Sequence, residues 1–380
     1  MKRWIAAAAL ALALTSVARA EIKVGIVVSA TGPAASLGIP QQNAATLLPA
    51  TIAGEPASYV LLDDGSDTTN AVRNVRKLLT DNKVDVILGP SITPNALAAT
   101  SVMAEAGVPM ITMASSGAIT EPPEGAKRWV FKVPQGDSVQ AEATILDMRK
   151  RGVTTLGFIA FADSYGDSYA REVRKATAQH GIKIVSDERF ARSDLSVTAQ
   201  VLRLVGSKPD AVFIVGAGTP AALPQLSLAE RGYKGLVYQT NGVTSQDFIR
   251  VGGKAVEGTI IAVTPMLVAE QLPDSHPSKS EATAFLRAYE GKFGLNTRSN
   301  FAALMWDAEK LLEAAVPAGL KAGRPGTPEF RTGLREGLEQ IRGLSLNTGT
   351  FTYSATDHSG LDASAMVFVR IENGSWKLAQ

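Results

Sequence analysis

A chain of 380 residues with 38 Lys and Arg against 36 Asp and Glu is too long for one compact core and too nearly neutral to offer nucleic acid an electrostatic footprint. It contains no cysteine, which excludes disulfides, thiolate metal sites, cysteine nucleophiles and a lipid joined through an N-terminal cysteine.

Lys2 and Arg3 precede an unbroken apolar run over 4–14, and small residues then end in Ala18-Arg19-Ala20. This pattern predicts an export signal over 1–20, cut after Ala20. Lys2, Arg3 and Arg19 are three of the 38 basic residues, so the rest of the chain holds 35 against 36 acidic ones, a net of −1. No later apolar run is long enough to span a bilayer. An exported protein with neither a spanning helix nor a lipid anchor needs an outer barrier to retain it, so a periplasmic location is expected.

Strands are predicted over 23–28, 59–62, 84–89, 109–114, 155–160, 182–186, 211–215, 236–240 and 258–263, with helical patterns between them. The first strand leads into a loop of small residues, 29–38. Val72, Val75, Leu78 and Leu79 share one helical face. Thr93-Pro94 reads as an N-cap and first turn of a helix stopped by Gly107. A helix over 169–179 closes at His180-Gly181, and two more, 281–293 and 301–315, follow one another with no strand between. Residues 128–134 and 351–353 read as crossovers, and 366–371 with 375–378 as a hairpin around Asn373-Gly374. Alternating strands and helices in two series predict a doubly wound α/β fold.

Catalytic patterns are missing. There is no G-x-S-x-G, no phosphate-binding G-x-x-x-x-G-K-[ST] and no H-E-x-x-H. His180, His276 and His358 have no partner at metal spacing and read as solvated turn residues. Asp63-Asp64-Gly65 reads as a strand end running into a helix cap rather than a calcium loop. No enzyme activity, cofactor or metal is expected.

Ligands of open α/β sheets gather at the carboxyl ends of strands. Four such ends are rich in small and hydroxylic residues: 29–38, 89–93, 114–118 and 162–166. Ser91, Ser115 and Ser116 converge on one edge of one sheet, which favours binding of a carboxylate over mere capping, whereas Thr93 is expected only to cap.

With Ser29-x-x-Gly32-Pro33, Gly38, Leu62-Asp63-Asp64, Gly89-Pro90-Ser91, Gly107-Val108-Pro109-Met110-Ile111 and Asp163-Ser164-Tyr165-Gly166 in this order, the chain resembles the type I periplasmic solute-binding proteins of the leucine and branched-chain amino acid group. The resemblance implies two doubly wound α/β lobes joined by three crossovers around a central ligand cleft. It places 21–130 with 265–350 in an N-terminal lobe and 131–264 with 351–380 in a C-terminal lobe. The lobes would close on a small molecule and deliver it to an inner-membrane ABC permease, with a monomer expected.

Carried across by resemblance, Ser91 binds the ligand carboxylate, Ser115 and Ser116 supply a carbonyl and a hydroxyl, and Tyr165 covers the ligand. Asn241 stands where an amino-acid binder carries the acid that pairs with the ammonium, and Gly218 stands in place of an aromatic. A desolvated ammonium without a carboxylate is costly. The expected ligand is therefore an aromatic or other organic acid, with Leu37, Phe161 and Tyr165 as apolar contacts and a pocket enlarged at Gly218. Asp163 as a source of negative charge keeps an amino acid open as the alternative. A ligand-sensing receptor subunit and a secreted hydrolase are the further alternatives.

Overall fold

The computed structural model describes residues 20–379; the expected export signal over 1–20 lies outside them except for Ala20. The strands are β1 (Ile22–Val28), β2 (Thr51–Ile52), β3 (Glu55–Asp63), β4 (Val86–Leu88), β5 (Met110–Thr112), β6 (Val130–Lys132), β7 (Thr155–Phe161), β8 (Lys183–Phe190), β9 (Ala211–Val215), β10 (Leu236–Gln239), β11 (Ile260–Val263), β12 (Leu344–Ser345), β13 (Thr350–Phe351), β14 (Val367–Glu372) and β15 (Ser375–Leu378). The α-helices are α1 (Ala35–Ala45), α2 (Thr68–Thr80), α3 (Thr93–Ala106), α4 (Asp137–Lys150), α5 (Ser164–His180), α6 (Thr198–Gly206), α7 (Ala222–Glu230), α8 (Gln246–Gly252), α9 (Lys279–Phe293), α10 (Asn300–Ala322) and α11 (Pro328–Glu339).

Two sheets organise the chain, in the orders β2-β3-β1-β4-β5-β6 and β15-β14-β11-β10-β9-β7-β8. The central strands run parallel, and antiparallel pairing is confined to β2–β3 and to β14 and β15 in these sheets. Every residue of β1 except Lys23 is buried, as expected of a strand covered by helices on both faces. The chain passes between the sheets after β6, after β11 and before β14, which makes the two-lobed α/β architecture that the sequence implies.

The structure corrects several local readings. Val130–Lys132 is a strand of the first sheet paired with β5, so the crossover begins only after it. The loop over 29–38 is shorter than its Gly and Pro content suggests, because α1 already starts at Ala35 and runs through Pro40. Gly38 serves packing rather than looping: a Cβ there would lie 2.1 Å from the Ser29 carbonyl. Ser164, Tyr165 and Gly166 are likewise the first turn of α5 and not a loop. Ile92, not Thr93, is the N-cap of α3, and Thr93 is its first helical residue. His358 is fully buried and stacks on Phe131 with ring centroids 3.9 Å apart; burial lowers its pKa. The hairpin stands, with Glu372 opposite Ser375 and positive φ at both Asn373 (52°) and Gly374 (67°).

Candidate functional site

Between the sheets lies a cleft with about 430 Å³ of atom-free space, part of it open to solvent. The first lobe contributes Leu37 from α1, Ser91, Ile92 and Thr93 beyond β4, and Met113, Ala114 and Ser115 beyond β5. The second contributes Tyr165 from α5, Arg192 beyond β8, Ala217 beyond β9, and Asn241 and Gly242 beyond β10. Pro134 on the first crossover and Asn300, Phe301 and Leu304 on α10 complete the wall. These are strand exits and helix starts, the positions an open α/β sheet gives to ligands.

Of the residues singled out in the sequence, Leu37, Ser91, Ser115, Tyr165 and Asn241 meet in this cleft, and Ser116, Phe161, Asp163 and Gly218 stand outside its wall. Ser116 turns away: its hydroxyl donates to Ser168 Oγ at 2.7 Å, and Ser168 donates on to Asp137. Gly117 N–H also donates to Asp137, at 3.0 Å. Phe161 is fully buried behind Tyr165. Gly218 does not enlarge the cleft, because a Cβ on it would meet Ser36 Oγ at 2.3 Å and Leu37 Cδ1 at 2.8 Å. The opposite lobe fills the space that a side chain would take, and Thr219 N–H donates to Ser36 Oγ at 3.2 Å across the same contact.

Asp163 is not available to a ligand cation. One of its oxygens accepts from the N–H groups of Tyr165 (3.0 Å) and Gly166 (3.2 Å), capping α5, and the other accepts from Arg192 Nε at 2.6 Å. Arg192 lies over the Phe161 ring at 4.2 Å and near the Tyr165 ring at 5.8 Å. The terminal nitrogens of Arg192 have no protein partner among the described residues, which leaves a planar fork suited to a carboxylate. Arg192 is the one ionised side chain on the cleft wall among the described residues. No short motif announces it; its signal was its place just past the end of a strand.

The polar remainder is hydroxyl and amide. Ser91 Oγ accepts from Ser29 N–H at 3.0 Å and donates to the buried Gln41 Oε1, while Gln41 Nε2 has no partner. Turning the Gln41 amide over would let Nε2 donate to Ser91 and release the Ser91 hydroxyl hydrogen to the cleft. The Ser115 carbonyl accepts from Lys132 Nζ at 3.2 Å. Thr93 sits at the start of α3, whose N-terminus has no side-chain cap, so that the positive end of the helix dipole meets the cleft. Tyr165 donates to Thr240 Oγ1 at 2.9 Å, and burial pushes its pKa up to about 12, which keeps it neutral. Among the described residues no group of three or more His, Asp or Glu is gathered as a metal ion would require, and no helix is long and apolar enough to cross a membrane.

Two α/β lobes around a cleft with a mixed apolar and hydrogen-bonding wall define a ligand-capturing class of protein. The family described as periplasmic binding protein matches residues 21–375, and the chain belongs to it, within the type I group that includes the branched-chain amino acid binders. An extracellular ligand-binding receptor of known structure from Rhodopseudomonas palustris HaA2 is 42% identical with a TM-score of 0.92, over 95% of this chain and 100% of that one. The leucine-, isoleucine-, valine-, threonine- and alanine-binding protein of Pseudomonas aeruginosa is 25% identical over 88% of this chain and 90% of its own length. A solute-binding protein of an ABC transporter from R. palustris, solved in complex with benzoate, shares the fold at 21% identity and a TM-score of 0.80, over 94% of this chain and 95% of that one.

Proposed function

We propose that this protein captures a small organic acid without an α-ammonium group, an aromatic acid above all, and presents it to an inner-membrane ABC permease. The observation that carries this reading is the charge of the cleft wall: Arg192 is its one ionised side chain among the described residues, and the nearest candidate acid, Asp163, is spent on Arg192 and on the first turn of α5. An α-ammonium entering this cleft would lose its water, find no carboxylate and face a guanidinium. A carboxylate would gain the free fork of Arg192, the Thr93 end of α3 and the hydroxyl of Ser115. Leu37, Tyr165, Phe301, Leu304 and Met113 supply the apolar remainder, and a solute-binding protein of the same fold, solved in complex with benzoate, supports the reading.

The protein acts by binding alone, as a monomer whose lobes close by hinge motion, exported by a signal cut after Ala20 into the periplasm. Ser91, Ser115 and Thr93 hold the acid from the first lobe, and Arg192, Tyr165 and Asn241 from the second. Titration calorimetry with benzoate, 4-hydroxybenzoate, leucine and phenylalanine tests the reading. Binding of the benzoates with no heat from the amino acids is expected, and tight binding of leucine overturns it. The mass of the exported protein, beginning at Glu21, tests the cleavage site.

A further inference from the structure

One polar group on the cleft wall has no work inside the protein. Asn300 is 1% exposed, lies in the first turn of α10 and lines the cleft. Its Oδ1 accepts from Thr264 Oγ1 at 2.7 Å and its backbone N–H donates to the Thr244 carbonyl at 3.2 Å, but its Nδ2 has no partner. A buried unpaired amide donor is costly, and native structures seldom keep one without a ligand or water to meet it. The helix start adds a field that favours an electron-rich atom at the same point. Asn241, also on the wall, bonds through its carbonyl to Thr244 Oγ1 and so stands at the same end of the cleft.

The sheet order sets this end apart from Arg192. Arg192 follows β8 and reaches inward over Phe161 at the end of β7, whereas Asn300 is tied to Thr244 beyond β10 and Thr264 beyond β11. In the order β11-β10-β9-β7-β8, β7 and β10 are two strand spacings apart, about 10 Å.

We propose that Asn300, assisted by Asn241, recognises a hydroxyl on the part of the ligand remote from its carboxylate, so that the preferred ligand is an acid carrying such a hydroxyl. This rests on the carboxylate reading above. A hydroxyl suits either orientation of the Asn300 amide, because it both donates and accepts.

The test measures dissociation constants for two pairs of acids, benzoate with 4-hydroxybenzoate and 3-phenylpropanoate with its 4-hydroxy derivative, on the wild type, Asn300→Leu and Asn300→Ala. The expected result is that at least one hydroxy acid binds the wild type roughly tenfold or more tightly than its parent. In the variants this ratio falls to near one, whatever the change in affinity for the parent acid. A ratio near one in the wild type, or an unchanged ratio in both variants, overturns the Asn300 role while leaving the carboxylate reading in place. Failure of all four acids to bind, or equal binding of benzoate and benzamide, overturns the carboxylate reading and this inference with it. Because each ratio is taken within one protein, a variant that is merely less stable does not mimic the result.

Discussion

Asp163 Oδ2 accepts from Arg192 Nε at 2.6 Å while Asp163 Oδ1 caps the first turn of α5. The acid that the sequence offered as a ligand partner is thereby the support of the base that the sequence left unnamed. Its own charge is offset by the helix N-terminus, so Arg192 meets the cleft with its fork unspent.

Replacing Arg192 by Gln removes that fork. Acid binding should weaken by roughly 10- to 100-fold, the scale of hydrogen bonds to a charged group, while the corresponding neutral amide is unaffected. Asp163→Ala should do less to affinity but lower stability by about 1 kcal/mol through the lost cap. Calorimetry with an acid and its amide, together with urea unfolding, separates the two effects. Equal losses for acid and amide in Arg192→Gln would make Arg192 a packing residue.

Ser91 and Gln41 form a pair in which only one member faces the ligand. Ser91→Ala should cost about 1–2 kcal/mol of acid binding. Gln41→Leu should cost less, because the Ser91 hydroxyl, no longer donating to the amide, is free to turn to the ligand, and the unpaired Nε2 disappears. Calorimetry on both variants checks the order, and a larger loss for Gln41→Leu would show that the amide fixes the hydroxyl in place.

The chain Ser116–Ser168–Asp137 joins the lobes without touching the cleft, with all three residues buried. Ser168→Ala should shift the lobes toward an open form, raising the radius of gyration of the ligand-free protein in X-ray scattering and weakening acid binding several-fold, since part of the binding energy must then close the lobes. Unchanged scattering and affinity would reduce the chain to local support for α4 and α5.

Much of this architecture could be read before the structure. Alternation of β-rich runs with helical stripes placed β1 and β7 nearly to the residue, because strands buried on both faces carry a strong apolar signal. The errors have a common cause. Gly, Pro and Ser near strand exits have the composition of loops, but Pro40 is accommodated inside α1, and Gly38 is small because the Ser29 carbonyl presses on it. At the site, motif order brought Leu37, Ser91, Ser115, Tyr165 and Asn241 to one cleft. Thr93-Pro94 has the pattern of a helix cap, which hides the place of Thr93 on the wall, and Arg192, Asn300 and Phe301 belong to no short motif. The roles of Ser116 and Gly218 depend on what the opposite lobe brings against them, and one-dimensional spacing does not carry that.

Glu309 on α10 is 1% exposed and its Oε1 has no partner, with Lys310 Nζ 3.7 Å from the other oxygen. Burial, the largest cause, together with the charges of Glu313 and Glu281, pushes its pKa from 4.5 to about 7. Below pH 4.5 the carboxyl is protonated whether the chain is folded or not. Between 4.5 and about 7 the unfolded chain ionises while the fold keeps its proton, so stability falls as pH rises, and above 7 the loss is complete. For one group this amounts to roughly 3 kcal/mol. Asp307, pushed up to about 7 mainly by burial, adds a slope of the same sign. Glu309→Gln should therefore lose less stability than the wild type between pH 4.5 and pH 7.5 in urea unfolding, and be the more stable of the two at pH 7.5. Parallel losses in the two proteins would place Glu309 among the carboxylates that remain ionised in the fold.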